Sequence, residues 1–167
     1  MSQNHSVTPS LRWAIKRSFV DYVFRMPDGG GWVTDGATAT EDNELVYEWV
    51  RSEATADGGF LWAFRGDVRF SGHAGLLFVR VADPWLSVLG DQATLSVVDP
   101  ISEDGGRLDL VTVQLAPVET SGDGTTWAGD PVSLTAAGVG LFNDVYVEGE
   151  LFAPLMVHLP PADTPNP

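Results

Sequence analysis

Apolar side chains recur every three or four positions near the start of the chain, which is the period of one helix face. The stripe consists of Leu11, Ile15, Phe19, Tyr22 and Val23. Thr8 followed by Pro9 is a typical helix start, with threonine as the N-cap and proline in the first helical position. Pro27 predicts the end of the helix, and the glycines at 29–31 predict a flexible turn after it. The pattern therefore predicts one amphipathic helix that carries Tyr22 near its C-terminal end.

From about residue 44 onward the alternation has a period of two, which is typical of half-buried β-strands. Strand-like runs occupy residues 60–64, 68–70, 76–81, 85–89, 94–98, 108–115, 132–135, 144–148 and 155–159. Turn sequences rich in glycine and aspartate separate them at 57–59, 90–91, 104–106 and 122–124. The chain is therefore predicted to be mainly β, as an antiparallel β-sandwich or open barrel of short strands with one N-terminal amphipathic helix.

A chain of 167 residues has the size of one domain with its own core. We expect a flexible N-terminus over residues 1–8, a single domain over residues 9–159 and a disordered tail over residues 160–167. The sequence contains no cysteine, which excludes disulfides, thiolate metal sites and a cysteine nucleophile. No segment has the pattern of a signal peptide or the apolar length of a membrane span, so we expect a cytoplasmic protein.

The formal net charge of −14 argues against nucleic acid and anionic membranes as partners, because both require clustered basic residues. Only nine basic residues are present, yet four of them lie in the predicted helix segment: Arg12, Lys16, Arg17 and Arg25. They form either a solvated face, paired through Asp21 at i,i+4 spacing with Arg17 and Arg25, or the rim of an anion-binding site. The residues alone leave both interpretations open.

Three histidines are candidates for chemistry. His5 belongs to the predicted flexible N-terminus, and His158 lies in the last predicted strand, where a lone histidine is usually structural. His73 stands between Gly72 and Gly75, and glycines at this position would let backbone or ligand approach closely. From spacing alone, a structural turn histidine is still favoured for His73.

The three tyrosines are equally ambiguous. Tyr22, Tyr47 and Tyr146 each fit a residue at the edge of the core with its hydroxyl in water. The chain contains no nucleophile elbow, no paired-histidine zinc motif, no phosphate-binding glycine loop and no calcium loop. Residue-level reasoning therefore predicts an acidic β-rich domain and identifies no ligand.

Three segments resemble the motifs of one known family. LRWAIKRSFVDYV (residues 11–23), VRFSGHAGLLFVRVADPWLSV (68–88) and FNDVYVEGELFAPLMVHL (142–159) are similar to the opening, central and closing motifs of the Htaa domain, and they occur in the same order. The closing motif of that family commonly has an acidic residue before its proline, where Ala153 stands here. Htaa domains are haem-binding modules of bacterial haem-uptake systems, usually exported or surface-attached. The resemblance implies a mostly β fold that binds ferric haem b.

The resemblance also implies roles for individual residues. Tyr22 would be the axial ligand of the haem iron, with His73 hydrogen-bonded to its oxygen. Tyr146 would line the pocket, and Ser18 would help to hold a propionate. The basic residues Arg12, Lys16, Arg17 and Arg25 would meet the propionates. The porphyrin faces would be covered by Phe19, Phe70, Trp85 and Phe142.

Three functions remain open at this point. The first is binding of haem for uptake, transfer or storage, with another haem-binding protein as a possible donor or acceptor. The second is a small-molecule biosynthetic enzyme that uses the same pocket, with or without haem, and Tyr22, His73 and Tyr146 as acid–base groups. The third is a lipocalin-like carrier in which the tyrosines only pack.

Overall fold

Eight antiparallel strands form a closed ring in the computed structural model of the chain, which describes residues 8–161. These strands are β1 (Ser10–Trp13), β4 (Leu45–Ala54), β5 (Phe60–Arg65), β8 (Trp85–Leu89), β9 (Gln92–Val98), β10 (Arg107–Ser121), β11 (Gly124–Leu134) and β13 (Leu155–Leu159). The order around the ring is β1–β13–β11–β10–β9–β8–β5–β4, and β4 pairs with β1 again. The inward side chains of this barrel fill its interior, as is usual for a barrel of eight strands.

A second, three-stranded sheet lies outside the ring. It consists of β2 (Gly30–Thr34), β6 (Asp67–Gly72) and β7 (Leu77–Ala82), and a 3₁₀ turn (His73–Gly75) forms the tip of the β6–β7 hairpin. Two short strands, β3 (Ala37–Ala39) and β12 (Leu151–Phe152), pair with β4 and β11. The helices are α1 (Arg17–Arg25) and α2 (Ala136–Leu141). Among residues 8–161, no helix has the length and apolar character needed to cross a bilayer.

The prediction of a mainly β antiparallel fold is confirmed, but the sheet is a closed barrel rather than a sandwich or an open barrel. Closure depends on β1, which pairs along one side with β13 and along the other with β4. Its Leu11 and Trp13 are fully buried in the core. A closed ring satisfies the backbone groups that a sandwich would leave unpaired at its edges.

The predicted helix start at Thr8 and Pro9 is wrong, because Ser10–Trp13 forms strand β1 and the helix begins only at Arg17. Backbone pairing on both sides of β1 outweighs the local helical spacing, which is a weak preference by comparison. Ile15, with a φ of 64°, separates the strand from the helix. The prediction that Tyr22 lies near the C-terminal end of a short helix is confirmed.

Most strand predictions match, and the runs at 85–89 and 155–159 coincide with β8 and β13. The predicted strand at 144–148 is wrong, since these residues form an irregular turn in which Asn143 and Asp144 have φ values of 58° and 61°. Gly30 and Gly31 belong to β2 rather than to a flexible turn, and Gly31 lies so close to Phe70 that a Cβ would meet its ring at 3.2 Å. The short elements β3 and α2 have no counterpart among the predicted elements. Residues 1–7 and 162–167, and with them His5 and most of both predicted termini, lie outside the described residues.

Strand register distinguishes the two ends of the barrel. At one end β1 finishes at Trp13, opposite the first residues of β4 and β13, and α1 follows directly. We call this the helix end. At the other end β13 finishes at Leu159, opposite Thr125 near the start of β11, and Phe60 of β5 lies opposite Val88 of β8. We call this the mouth.

Candidate functional site

A tyrosine and a histidine from distant parts of the chain meet at the helix end. The hydroxyl oxygen of Tyr22 and Nε2 of His73 lie 2.7 Å apart, with the ring centroids 5.9 Å apart. The imidazole donates in this bond when Nε2 carries the proton, and accepts the phenol O–H when it does not. The Tyr22 side chain is 50% exposed, so the pair is open to a ligand from solvent.

Helix α1 holds Tyr22 at the surface by burying its opposite face. Phe19, Val20 and Val23 are buried where the helix packs on β2 and β6. Tyr22 lies next to this buried stripe, so its ring is anchored at the edge of the core while its hydroxyl reaches His73. Met26 caps the helix by donating its backbone N–H to the carbonyl of Val23.

The turn that carries His73 is held by a carboxylate from the segment after α1. Asp28 accepts hydrogen bonds from the backbone N–H of His73 (3.1 Å) and of Ala74 (2.7 Å). Both donors have left-handed backbone conformations, with φ values of 51° and 55°, which non-glycine residues adopt only when other contacts stabilise them. The Ala74 N–H is the largest factor that lowers the pKa of Asp28 below its ordinary 3.8, although partial desolvation opposes it. Asp28 thus ties the histidine turn to the end of the tyrosine helix.

Tyr146 lies beside Ser18, and Ser18 precedes Tyr22 by one turn of helix α1. Its ring packs against Phe142 and Phe152, with centroids 5.9 Å and 5.8 Å away. Burial raises the pKa of Tyr146 above its ordinary 10.0, the charge of Glu150 adds to the rise, and the nearby Ser18 hydroxyl opposes it. Tyr146 is therefore a neutral hydrogen-bonding group at physiological pH. It is not suited to serve as an anion.

Comparison with protein families gives one match that spans nearly the whole chain. A family model described as Htaa matches residues 8–158. The chain belongs to the Htaa family. No curated protein sequence matches it significantly.

Solved structures of Htaa proteins from Corynebacterium glutamicum share the fold. The N-terminal domain of HtaA is 24% identical with a TM-score of 0.75, over 92% of this chain and 98% of that one. The C-terminal domain of HtaA is 23% identical with a TM-score of 0.74, over 90% and 94%. The heme binding protein HtaB is 21% identical with a TM-score of 0.70, over 92% of each chain.

The basic residues of this Htaa chain are less available to an anion than the sequence suggested. Arg12 lies on β1 rather than on a helix and pairs with Glu44 at 3.5 Å, and Arg17 donates to the carbonyl of Asp42 at 2.9 Å. The i,i+4 ion pairs through Asp21 are absent from the ion pairs within residues 8–161. Of the four, only Arg25 is both exposed and within one helical turn of Tyr22.

Lys16, the remaining basic residue, is committed to contacts within the fold. Its ammonium lies 3.1 Å from a carboxylate oxygen of Glu150, 3.1 Å from the carbonyl of Leu151 and 5.1 Å from the centre of the Tyr146 ring. These contacts join the start of α1 to the loop that carries Tyr146. Lys16 therefore fixes this loop and is not free for a second anion.

The aromatic residues expected to cover a ligand are placed differently. Phe19, Phe70 and Phe142 are at most 4% exposed, and Phe19 contacts each of the other two edge-to-face at 5.3 Å. They form a buried support behind α1 and leave no free ring face for a ligand. Trp85 lies on the barrel wall with the guanidinium groups of Arg107 and Arg51 at 3.9 Å and 5.2 Å from its ring centre, so its expected place against a ligand stays a prediction.

Exposed aliphatic residues accompany the polar groups instead. Leu76, which directly follows the His73 turn, is 86% exposed, and Val145 and Val147 on either side of Tyr146 are 64% and 69% exposed. Large exposed apolar side chains beside a polar pair are typical of a ligand-binding surface. In the sequence, Val145 and Val147 stand out only as apolar positions of the predicted strand at 144–148, which is a turn in the structure. It held no local signal for Asp28, whose partners lie 45 and 46 residues away.

The other histidine and tyrosine have structural roles. Nδ1 of His158 lies 2.9 Å from the hydroxyl of Thr126, and the buried hydroxyl of Tyr47 donates to the carbonyl of Val81 at 3.0 Å. The latter bond joins β4 of the barrel to β7 of the outer sheet. Within residues 8–161, no three histidine, aspartate or glutamate side chains gather as a metal site would require.

Proposed function

We propose that this chain binds ferric haem b at the helix end, with the Tyr22 oxygen as axial ligand of the iron and His73 hydrogen-bonded to that oxygen. The observation that carries the proposal is the 2.7 Å separation between Tyr22 Oη and His73 Nε2 at a half-exposed site. Membership of the Htaa family and similarity to HtaB, a heme binding protein, support it.

The donor set fits this group chemically. A phenol side chain is an effective ligand of Fe(III) as the phenolate, and its ordinary pKa near 10 makes the anion scarce at neutral pH. When bound, ferric haem supplies the positive charge that favours the anion. An imidazole N–H donated to the oxygen favours the phenolate further and orients its ring, as partners of metal ligands generally do. His73 can supply this bond through Nε2 because Asp28 holds its turn in place.

The residues around the pair complete the proposed site. Ser18, Tyr146 and Arg25 are the polar groups we assign to the propionates, because a guanidinium and hydroxyls recognise carboxylates by charge-assisted hydrogen bonds. Leu76, Val145 and Val147 supply exposed apolar surface for the macrocycle. The buried phenylalanines act through the helix that they support.

The openness of the site favours binding and transfer over catalysis. A half-exposed axial ligand lets a flat molecule enter and leave from one side, which suits exchange with a second haem-binding protein.

The test is a titration of the purified chain with hemin, followed by absorption and resonance Raman spectroscopy. We expect a saturable Soret band with the high-spin charge-transfer and Fe–phenolate signatures of tyrosinate ligation. Tyr22→Phe should lose these signatures and bind at least about a hundredfold more weakly, because it removes the ligand. Tyr47→Phe is the matched control, since it removes a tyrosine hydroxyl that donates to the carbonyl of Val81 and is hydrogen-bonded to neither Tyr22 nor His73.

Two results would contradict the proposal. One is hemin absorbance that stays that of free hemin, and the other is a Tyr22→Phe variant that keeps the parent spectrum. Transfer is tested separately by mixing the loaded chain with excess apomyoglobin, which should acquire the haem.

A further inference from the structure

A second cavity, distinct from the Tyr22–His73 site, opens at the mouth of the barrel. It has a volume of about 800 Å³ and is lined mainly by apolar and aromatic side chains, among them three tryptophans. Those tryptophans are Trp49 on β4, Trp62 on β5 and Trp127 on β11. We refer to this cavity as the tryptophan cleft, and we propose that it binds a flat, neutral, mainly apolar organic molecule that carries carbonyl-type hydrogen-bond acceptors.

The walls of the cleft come from the barrel strands themselves. Phe60 and Val88 lie opposite each other on β5 and β8, and Leu159 lies opposite Thr125 where β13 ends. At the rim Gly59 lies so close to β8 that a Cβ there would meet the carbonyl of Val88 at 2.0 Å. A barrel of eight strands is just wide enough to hold one small ligand, and barrel mouths are frequent ligand sites. The volume lies within the range of about 300–1,000 Å³ that ligand pockets usually occupy.

Two of the tryptophans lack a hydrogen-bond partner. Nε1 of Trp49 and Nε1 of Trp127 each expose less than 1 Å² and find no acceptor within residues 8–161. A buried indole N–H normally has an acceptor, and an unpaired one is unfavourable. Both nitrogens belong to residues that line the cleft. A small rotation of each ring would bring its N–H to a ligand oxygen, and the hydrogen bond formed there would remove the unfavourable free energy of the unpaired N–H. This is the reason for requiring acceptors on the ligand.

The charge and the ring faces of the lining define two further properties of the ligand, its net charge and its flat shape. The only charged side chain of the lining within residues 8–161, Arg51, is already paired with Glu53 at 2.7 Å and lies over Trp85. The cleft thus offers no free charge, and the acidic chain repels anions, so the ligand is neutral. Trp127, which is only partly buried, presents a ring face suited to an aromatic plane, and the buried Trp62 packs against it with ring centroids 5.5 Å apart. Among the described residues no histidine, tyrosine or methionine lines the cleft, so it is not a second haem-ligating site.

Menadione is a suitable probe because it is a flat neutral molecule with two carbonyl oxygens. The absence of cysteine from the chain prevents its attachment through a thiol. The experiment is a titration of the ¹⁵N-labelled full chain, observed through the indole N–H resonances of its six tryptophans. Trp49→Phe and Trp127→Phe spectra assign the two signals. We expect both to shift saturably, while the signal of Trp32, 46% exposed on β2, stays in place.

The acceptor requirement is tested with 2-methylnaphthalene, which has the same rings and methyl group without the carbonyls. We expect it to bind about twenty-five-fold more weakly than menadione, the effect of two net hydrogen bonds at about fivefold each. Trp127→Phe should reduce this difference, and Tyr22→Phe should leave it unchanged. The proposal is overturned if neither indole signal shifts, if Trp32 shifts as much as they do, or if both probes bind equally. Because both probes are compared on the parent chain, equal binding of the two overturns the proposal even where a variant fails to fold.

Discussion

The two ends of this barrel offer different chemistry because they are built from different parts of the fold. At the helix end, the reactive side chains stand on structure added to the barrel: Tyr22 on a helix and His73 on the tip of a hairpin in the outer sheet. At the mouth, the side chains of the tryptophan cleft project from the barrel strands. The first end is polar and half-exposed, whereas the second is aromatic and recessed.

This difference teaches how one barrel can carry two sites with separate requirements. The polar pair depends on the relative placement of two added elements, which Asp28 joins by two hydrogen bonds. The cleft depends mainly on strand register, and Pro160 and Pro161, which follow β13, complete its lining. Changes that loosen the helix end should therefore leave the mouth unaffected, and the following predictions test that separation.

The largest expected effect is a reciprocal loss of ligand binding. Tyr22→Phe should weaken hemin binding at least about a hundredfold, since it removes the ligand, and leave menadione binding unchanged. Trp127→Phe should weaken menadione binding about fivefold, since it removes one hydrogen bond, and leave hemin binding unchanged. Absorption titration and NMR titration measure the two affinities. If either variant impairs both ligands equally, the two ends are not independent.

A smaller effect is expected for His73→Ala. Without the donated hydrogen bond the phenolate is less stable, so protons compete with iron for the tyrosine oxygen more effectively. The pH midpoint of haem release should rise by about one unit, the equivalent of one hydrogen bond to a charged group. Acid titration of the Soret band measures it. An unchanged midpoint would mean that His73 does not support the ligand, and His158→Ala is the matched control.

The smallest effect is expected at Asp28, which acts through the turn and does not contact the ligand. Asp28→Ala removes both acceptors of the His73 turn, so the pH midpoint of haem release should rise by about half a unit, less than for His73→Ala. Asp28→Asn keeps one acceptor oxygen and should show an intermediate shift. Faster hydrogen exchange of the Ala74 amide in Asp28→Ala reports the loosened turn directly, and a parent-like exchange rate would refute the role.

The contribution of Asp28 also has a defined pH dependence. Its pKa in the folded chain lies below the ordinary 3.8, so the stabilisation is fully present above that value and is lost as the pH falls through the lowered pKa. Protection of the Ala74 amide should therefore be constant between about pH 5 and 7 and decline only below about 3.8. A decline centred near pH 6 would assign the protection to another group.

The strands were the most predictable part of the fold. Alternation located β8 and β13 at their observed bounds because one face of each strand is buried and the other is not. The same local reasoning failed for Ser10–Trp13, where pairing with two strands from distant parts of the sequence outweighs helical spacing. It also failed for 144–148, where a turn holds apolar side chains at the surface.

The site was predictable in its residue types but not in its support. Resemblance to family motifs singles out Tyr22 and His73, whereas the contacts of Trp85 with Arg51 and Arg107 follow from strand pairing that the motif does not reveal. Asp28 and the tryptophan cleft carry no local signature. Their partners are brought together only by the register of the sheets and by the packing of α1.

By itself, the sequence determined that this protein has antiparallel strands, a short helix ending near Tyr22 and a glycine-flanked His73, because these follow from local periodicity and turn chemistry. Only the tertiary structure decided that the sheet closes, that Tyr22 meets His73 at 2.7 Å and that three tryptophans line one cleft. Each of these depends on contacts between residues far apart in the chain. Their free energy is realised only when the whole barrel has formed.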